Sequence, residues 1–279
     1  MACDPNLALI HKVGFVGLGS HGCPMAVNIL HAGFDVMVWD ARPAALKELE
    51  QAGAKVAGSP EEVGRFAELI GVCEVADPEW DEAQIEAIVA GERGLLSGAK
   101  PGAIIAFHSA VYPSTVKRIA QQAETCRAHV VDAQGNGGEG RARARTLTYM
   151  LGGDERLLEQ CRPVFAASGT TMIHVGPLGA GAAAKVAHYI LVCASLVSVS
   201  EVMRMVEAAD VDLAAFQKVV HESAGQSWAC DNWLQDFNPV PAERAEHLYR
   251  RIGYALGLAS ELGFALPAAG LAHQLMRSL

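Results

Sequence analysis

The sequence predicts an α/β fold: a doubly wound parallel sheet, followed by an all-helical domain built on one long helix. Three observations predict it. Strand-like and helix-like segments alternate through the first part of the chain, as a parallel sheet covered on both faces requires. A glycine-rich turn joins the first strand to the first helix. Beyond Gly176 strand patterns cease and a long apolar helical pattern begins.

Residues 13–16 read as a buried strand, 23–32 as a helix and 35–39 as a second strand. Further strands are expected at 69–73, 103–107 and 129–132, with two short ones at 146–151 and 172–175. Helical patterns such as 43–52 and 114–124 lie between them. Residues 180–209 form a single pattern that is apolar nearly all round; at roughly 1.5 Å per residue such a helix is about 45 Å long. A helix apolar on every side is buried between partners, either the first domain and other helices or a second subunit. Residues 213–222, 242–262 and 265–278 are also helical by pattern, and no internal repeat is visible. The expected domains are therefore 1–176 and 177–279.

Composition narrows the function. The 279 residues are 51% hydrophobic, enough for one large core or two modest ones, and the formal net charge is −9. Basic residues such as Arg141, Arg143, Arg145 and Arg250-Arg251 are too sparse for a nucleic-acid footprint. The seven cysteines form no CxxC pair, and the ten histidines show no HxH or HExxH spacing, so no metal site is expected. Residues 1–12 lack the basic start and apolar run of a signal peptide. The most apolar stretch, 189–200, is too short to span a bilayer. The expectation is a cytoplasmic enzyme without membrane or nucleic-acid partners.

Gly17-Leu18-Gly19-Ser20-His21-Gly22 follows the first strand and opens a helix. In such a GxGxxG turn the first glycine permits the tight bend, the second lets the backbone approach a pyrophosphate, and the third lets helix and strand pack closely. The helix start offers N–H groups and a positive dipole end to the phosphates. Asp40 ends the second strand about 18 residues beyond Gly22, near the ~20-residue spacing at which a carboxylate accepts from the adenosine ribose hydroxyls. The alternative for Asp40 is a strand-end cap beside a glycine turn. A Rossmann-type domain binding NAD is the expectation. Asp40 disfavours a 2′-phosphate, while Arg42 could meet one, so NADP remains possible.

The chain also resembles the β-hydroxyacid dehydrogenase family, which includes 3-hydroxyisobutyrate dehydrogenase and tartronate semialdehyde reductase. Four pieces carry the resemblance, in order: Val13-Gly-Phe-Val-Gly-Leu-Gly-Ser-His-Gly-Cys-Pro-Met-Ala26, Asp132-Ala-Gln-Gly-Asn-Gly-Gly138, Gly140 with Thr146-Leu-Thr-Tyr-Met-Leu-Gly-Gly153, and Gly176-Pro-Leu-Gly-Ala-Gly-Ala-Ala-Ala-Lys185. The resemblance implies a Rossmann domain, a helical domain, an active site in the cleft between them, and a homodimer or homotetramer joined through the helical domains. It also implies reversible oxidation of a small 3-hydroxy acid to its semialdehyde or keto acid.

The resemblance places the catalytic lysine at Lys185, as general acid and base for the substrate hydroxyl. A lysine whose pKa is brought down from about 10.4 by burial or a nearby cation serves both directions. It places substrate contacts at Asn136, Gly137 and Gly138, whose amides can hold a carboxylate. His188 and Tyr189, three and four positions beyond Lys185, share its helical face and either touch substrate or simply pack in the core. The cofactor shell comprises the turn residues 17–22, Asp40, Arg42, Val75 and Ala76 after the fourth strand, Ser109 after the fifth, and Arg250. Arg250 is also the expected grip on a carboxylate-bearing substrate.

Several positions depart from the family pattern. Asn136 stands for a serine, Gly135 for a valine, Ala110 for a second hydroxyl, and His188 or Tyr189 for an asparagine. Arg250-Arg251 replace a Lys-Asp pair. The dinucleotide half is intact and the substrate shell is rebuilt, so the substrate is expected to differ from the best-known ones. An imine reductase and a non-catalytic dinucleotide-binding protein remain alternatives.

Overall fold

Strand β1 (Lys12–Val16) sends Val13 and Phe15 into one core cluster and Val16 into a second, so it is covered on both faces. The computed structural model describes residues 9–74 and 82–279. Helix α1 (Gly22–His31) leads to β2 (Asp35–Trp39), α2 (Pro43–Gln51), β3 (Lys55–Val56), α3 (Pro60–Phe66) and β4 (Leu69–Val72). Then come α4 (Glu82–Ala90), α5 (Leu95–Gly98), β5 (Ile104–Phe107), α6 (Pro113–Thr125) and β6 (His129–Asn136). The sheet closes with α7 (Gly138–Arg143), β7 (Leu147–Gly152), α8 (Glu155–Phe165) and β8 (Gly169–Gly176). These strands form one eight-stranded sheet in the order β3-β2-β1-β4-β5-β6-β7-β8.

The reversal of order between β1 and β4 places a crevice at the carboxyl ends of those strands, where open α/β sheets bind ligands. Three features of the sheet differ from the sequence expectation, the first being the two-residue β3, which the sequence pattern does not signal. Strand β6 runs on to Asn136, and β7 pairs with it antiparallel. The segment joining them holds only the short α7, and a parallel return needs a crossover of a dozen or more residues. The sheet is thus parallel except at this pair. Connecting helices such as α3, α4 and α8 were not singled out in the sequence. Yet α3 and α8 carry ordinary start signals, Ser59 accepting from Glu62 N and Asp154 from the amides of Arg156 and Leu157.

The long helix α9 (Ala180–Ala208) follows β8. The chain forms two compact units, Met1–Lys185 and Val186–Leu279. By length and composition α9 is long and apolar enough to cross a membrane, which the shorter stretch noted in the sequence is not. The second unit has its own core, in which Cys193, Leu196, Val197 and Met203 of α9 are buried with Trp233, Phe237, Leu248 and Ile252. It continues with α10 (Leu213–His221), α11 (Trp228–Asp231), a π-helical turn Trp233–Phe237, α12 (Ala242–Glu261) and α13 (Pro267–Leu275). No strand occurs in this unit, in line with the sequence pattern.

Candidate active site

The glycine-rich turn is built around contacts that exclude side chains. Gly17 has φ +84°, and a Cβ there would lie 2.1 Å from the Cys73 carbonyl oxygen. A Cβ on Gly22 would lie 2.0 Å from the Gly17 oxygen. The turn is fixed by Gly17 N donating to Trp39 O (3.1 Å) and Gly19 N donating to Glu74 O (3.2 Å). Helix α1 then starts with no side-chain cap and no acidic residue in its first turn, which leaves its positive end suited to an anion.

Asp40 is buried at the end of β2. Its Oδ2 accepts from Leu18 N at 2.7 Å and its Oδ1 from Arg42 N at 2.8 Å. The carboxylate therefore performs the capping role, tying the glycine turn to β2. Arg42 Nε lies 3.4 Å from Oδ1, and this nitrogen is buried without a hydrogen bond. A carboxylate with lone pairs to spare and an unsatisfied N–H beside it fit a ribose hydroxyl, which both donates and accepts. These residues fit a dinucleotide. Ser109 belongs to the same end of the sheet, since it follows β5, and Cys73, against whose carbonyl Gly17 packs, follows the neighbouring β4. Val75 and Ala76 lie outside the described residues.

The second group forms where β6 meets α9. Lys185 is buried, and its ammonium donates to Gly135 O at 2.8 Å and to Asn136 Oδ1 at 3.0 Å. The structure thus brings together Lys185 and Asn136, from two separate sequence motifs. With Asn136 Oδ1 turned to the lysine, the Nδ2 end of that amide is the donor left for a substrate oxygen. Gly137 and Gly138 follow at the start of α7.

Within the second unit, His188 and Tyr189 are neighbours, with ring centroids 6.4 Å apart. Arg251 is buried there: its guanidinium lies 5.7 Å from the Tyr189 ring centroid and its Nε 3.4 Å from His247 Nε2. Arg250 is exposed. The buried cation of the pair is thus Arg251, not Arg250, because adjacent helical residues point about 100° apart.

Three buried polar residues were not assigned a role from sequence. Asp132 accepts from Gly179 N and Ala182 N, both at 2.9 Å; burial pushes its carboxyl above the usual range while those N–H groups pull it back. Gln134 donates to Phe107 O at 3.1 Å, and its Oε1 is buried without a hydrogen bond. His108 stacks on Phe15 and donates from Nδ1 to Ala133 O at 2.7 Å; burial pushes it down to about 4, so it is neutral core. Their signal in the sequence was position at a strand's carboxyl end, which does not tell a site residue from a packed one.

Family models match both parts of the chain. The NAD-binding domain of 6-phosphogluconate dehydrogenase matches residues 12–176, and the NAD-binding domain of NADP-dependent 3-hydroxyisobutyrate dehydrogenase matches residues 179–279. The chain belongs to the β-hydroxyacid dehydrogenase family. The chain is 30% identical to human mitochondrial 3-hydroxyisobutyrate dehydrogenase over 99% of this chain and 84% of that protein. It is 30% identical to the NAD-dependent L-serine dehydrogenase of Pseudomonas aeruginosa, over 96% of this chain and 92% of that one. The solved 3-hydroxyisobutyrate dehydrogenase of Salmonella typhimurium is 27% identical with a TM-score of 0.81, covering 96% of this chain and 93% of that one. An imine reductase from Streptomyces aurantiacus, 15% identical with a TM-score of 0.68, shares the fold alone. As a family member the chain is an NAD(P)-dependent oxidoreductase acting on CH–OH groups of hydroxy acids.

Proposed function

We propose that this enzyme interconverts a small 3-hydroxy acid and its semialdehyde or keto acid, with NAD as the preferred cofactor and Lys185 as the proton-transfer group. The observation that carries this reading is the buried Lys185 ammonium held by Gly135 O and Asn136 Oδ1 at the carboxyl end of β6. Bound NAD supplies the hydride acceptor. In reduction the Lys185 ammonium gives a proton to the nascent alkoxide; in oxidation Lys185 acts as the neutral amine and takes the hydroxyl proton as hydride leaves the carbinol carbon. Two fixed acceptors orient the amine, and Asn136 can give one amide end to the lysine and the other to the substrate carboxylate. Gly137 and Gly138 add backbone donors to the carboxylate, and His188 and Tyr189 extend the substrate shell. Arg250 and Arg251 supply cations for an acidic substrate.

The relatives named for 3-hydroxyisobutyrate and L-serine support a three-carbon or four-carbon hydroxy acid. We further propose a water-soluble cytoplasmic homodimer or homotetramer, without membrane or nucleic-acid partners, in which α9 of one copy meets α9 of another. The domains proposed are 1–176 for dinucleotide binding and 177–279 for substrate and assembly.

The test is steady-state hydride transfer, followed by NADH absorbance, against a panel of 3-hydroxy acids and cyclic imines. Turnover of a hydroxy acid is expected. Turnover of imines alone would replace the reading with C=N reduction, and no turnover with tight NAD binding would make the protein a dinucleotide binder. Lys185→Ala is expected to lower kcat by about 10²–10⁴-fold while the NAD dissociation constant stays near wild type. A variant that keeps most of its kcat would remove Lys185 from the mechanism.

A further inference from the structure

We propose that Asp132 is a positioning residue for the proton-transfer lysine: it pins the first turn of α9 to β6 and so sets where the Lys185 amine lies. This rests on the reading of Lys185 given above. Asp132 is fully buried, and its two carboxylate oxygens are divided between two amides of the α9 start, Gly179 N on Oδ1 and Ala182 N on Oδ2. An ordinary helix cap comes from the residue just before the helix; this one comes from a strand far away in sequence. Carboxylate-to-amide bonds at a helix start are charge-assisted and directional. They fix the helix in rotation as well as in height.

The surrounding backbone is shaped to admit the carboxylate. A Cβ on Gly152, which pairs with Asp132 across β6 and β7, would lie 2.6 Å from Asp132 Oδ2. A Cβ on Gly181 would lie 2.9 Å from the same oxygen and 2.6 Å from Met150 O. Both positions hold glycine, so three residues from three elements make one socket.

Lys185 stands one helical turn beyond Gly181. Its amine returns to the same strand, at Gly135 O and Asn136 Oδ1. Residues 132, 134 and 136 share one face of β6 because side chains alternate along a strand. Strand and helix are therefore joined twice along that face, first by the Asp132 latch and then by the lysine itself. If the latch opens, the helix can rotate or slide, and the lysine loses its register against Asn136. A misplacement of about 1 Å at a reacting group costs about 10²-fold in rate.

A double-mutant cycle with Asp132→Asn and Lys185→Ala tests this in the full-length protein, with kcat and KM normalised to folded enzyme and NAD affinity measured separately. Asparagine keeps the shape but sets an NH₂ group against a backbone N–H. The expected result for Asp132→Asn is a fall in kcat of about 10–100-fold, with KM and NAD affinity within about twofold. In the Lys185→Ala background the same change should alter the residual rate by less than about twofold, because the group it positions is gone. Equal losses in both backgrounds, or unchanged kcat in the single variant, overturn the proposal. Turnover retained in Lys185→Ala sinks the lysine reading instead, so the two failures are distinct. Should Asp132→Asn fail to fold, Gly181→Ala, which crowds Oδ2 but keeps the charge, takes its place with the same expectations. Hydrogen exchange in the unaltered enzyme adds a check without any variant. The Gly179 and Ala182 amides should exchange only with global unfolding, and fast exchange at either contradicts a latch.

Discussion

At the scale of single residues, Asp40 holds Leu18 N in the glycine turn, and in the proposed NAD site it would set a negative charge against a 2′-phosphate. NAD should therefore bind more tightly than NADP, and Asp40→Ala should narrow the difference while weakening both, because the turn loses its anchor. Equilibrium titration of both cofactors measures this; a preference for NADP would mean that Arg42 outweighs Asp40. His108 makes a prediction of another kind. Its pKa is pushed down to about 4 in the folded protein from an ordinary 6.5. Below pH 6.5 the unfolded chain takes up a proton there that the native protein refuses, so stability falls as pH drops from 6.5 towards 4. The full effect is about 3 kcal/mol. His108→Gln, which can keep the bond to Ala133 O, should flatten Tm against pH over that window relative to wild type. Asp40 was legible in the sequence from its spacing to the glycines. His108 was not, since a histidine after a strand looks the same whether it faces a ligand or stacks on Phe15.

At the scale of elements, helix periodicity sets the two neighbouring arginines of α12 in different surroundings. On α12 the sequence favoured Arg250 by its place in the family pattern, but Arg251 is the buried one, stacked near Tyr189 and beside His247. A buried guanidinium against an aromatic ring is held in place and partly desolvated, which strengthens its grip on a carboxylate. With an acidic substrate, Arg251→Ala should raise KM by about tenfold or more and Arg250→Ala by less than about threefold. The reverse order would restore Arg250 as the anion contact, and no change in either would remove the anion site from α12. The direction of β7 is an element-scale lesson of the same kind. Its sequence reads as one more strand, and only the shortness of the α7 connection makes it run antiparallel.

At the scale of the whole molecule, α9 carries large apolar residues on its outer side within the second unit. Leu191 is 68% exposed and Met205 66% exposed. Each lost contact with water there would stabilise an assembly by about 1.5–3 kcal/mol on full burial. Leu191→Glu combined with Met205→Glu should therefore shift the enzyme to monomers in sedimentation velocity, with the α-helical circular dichroism unchanged. A wild-type monomer, or an unaltered oligomer in the variant, would remove this face from the assembly.

The sequence by itself determined the elements and their class. Alternating apolar strands, the glycine turn and the apolar helix are local patterns, and each is set by sterics and periodicity within about ten to thirty residues. It also determined the family, through motifs that keep their order along the chain. Only the tertiary structure decided which polar groups meet. Lys185 and Asn136, Asp132 and the amides of Gly179 and Ala182, and Asp40 and Leu18 are each far apart in sequence and joined by hydrogen bonds. Such bonds depend on distances of a few tenths of an ångström between separate elements. That precision comes from packing, with glycines at 152 and 181 leaving room for one carboxylate, and no local pattern encodes it.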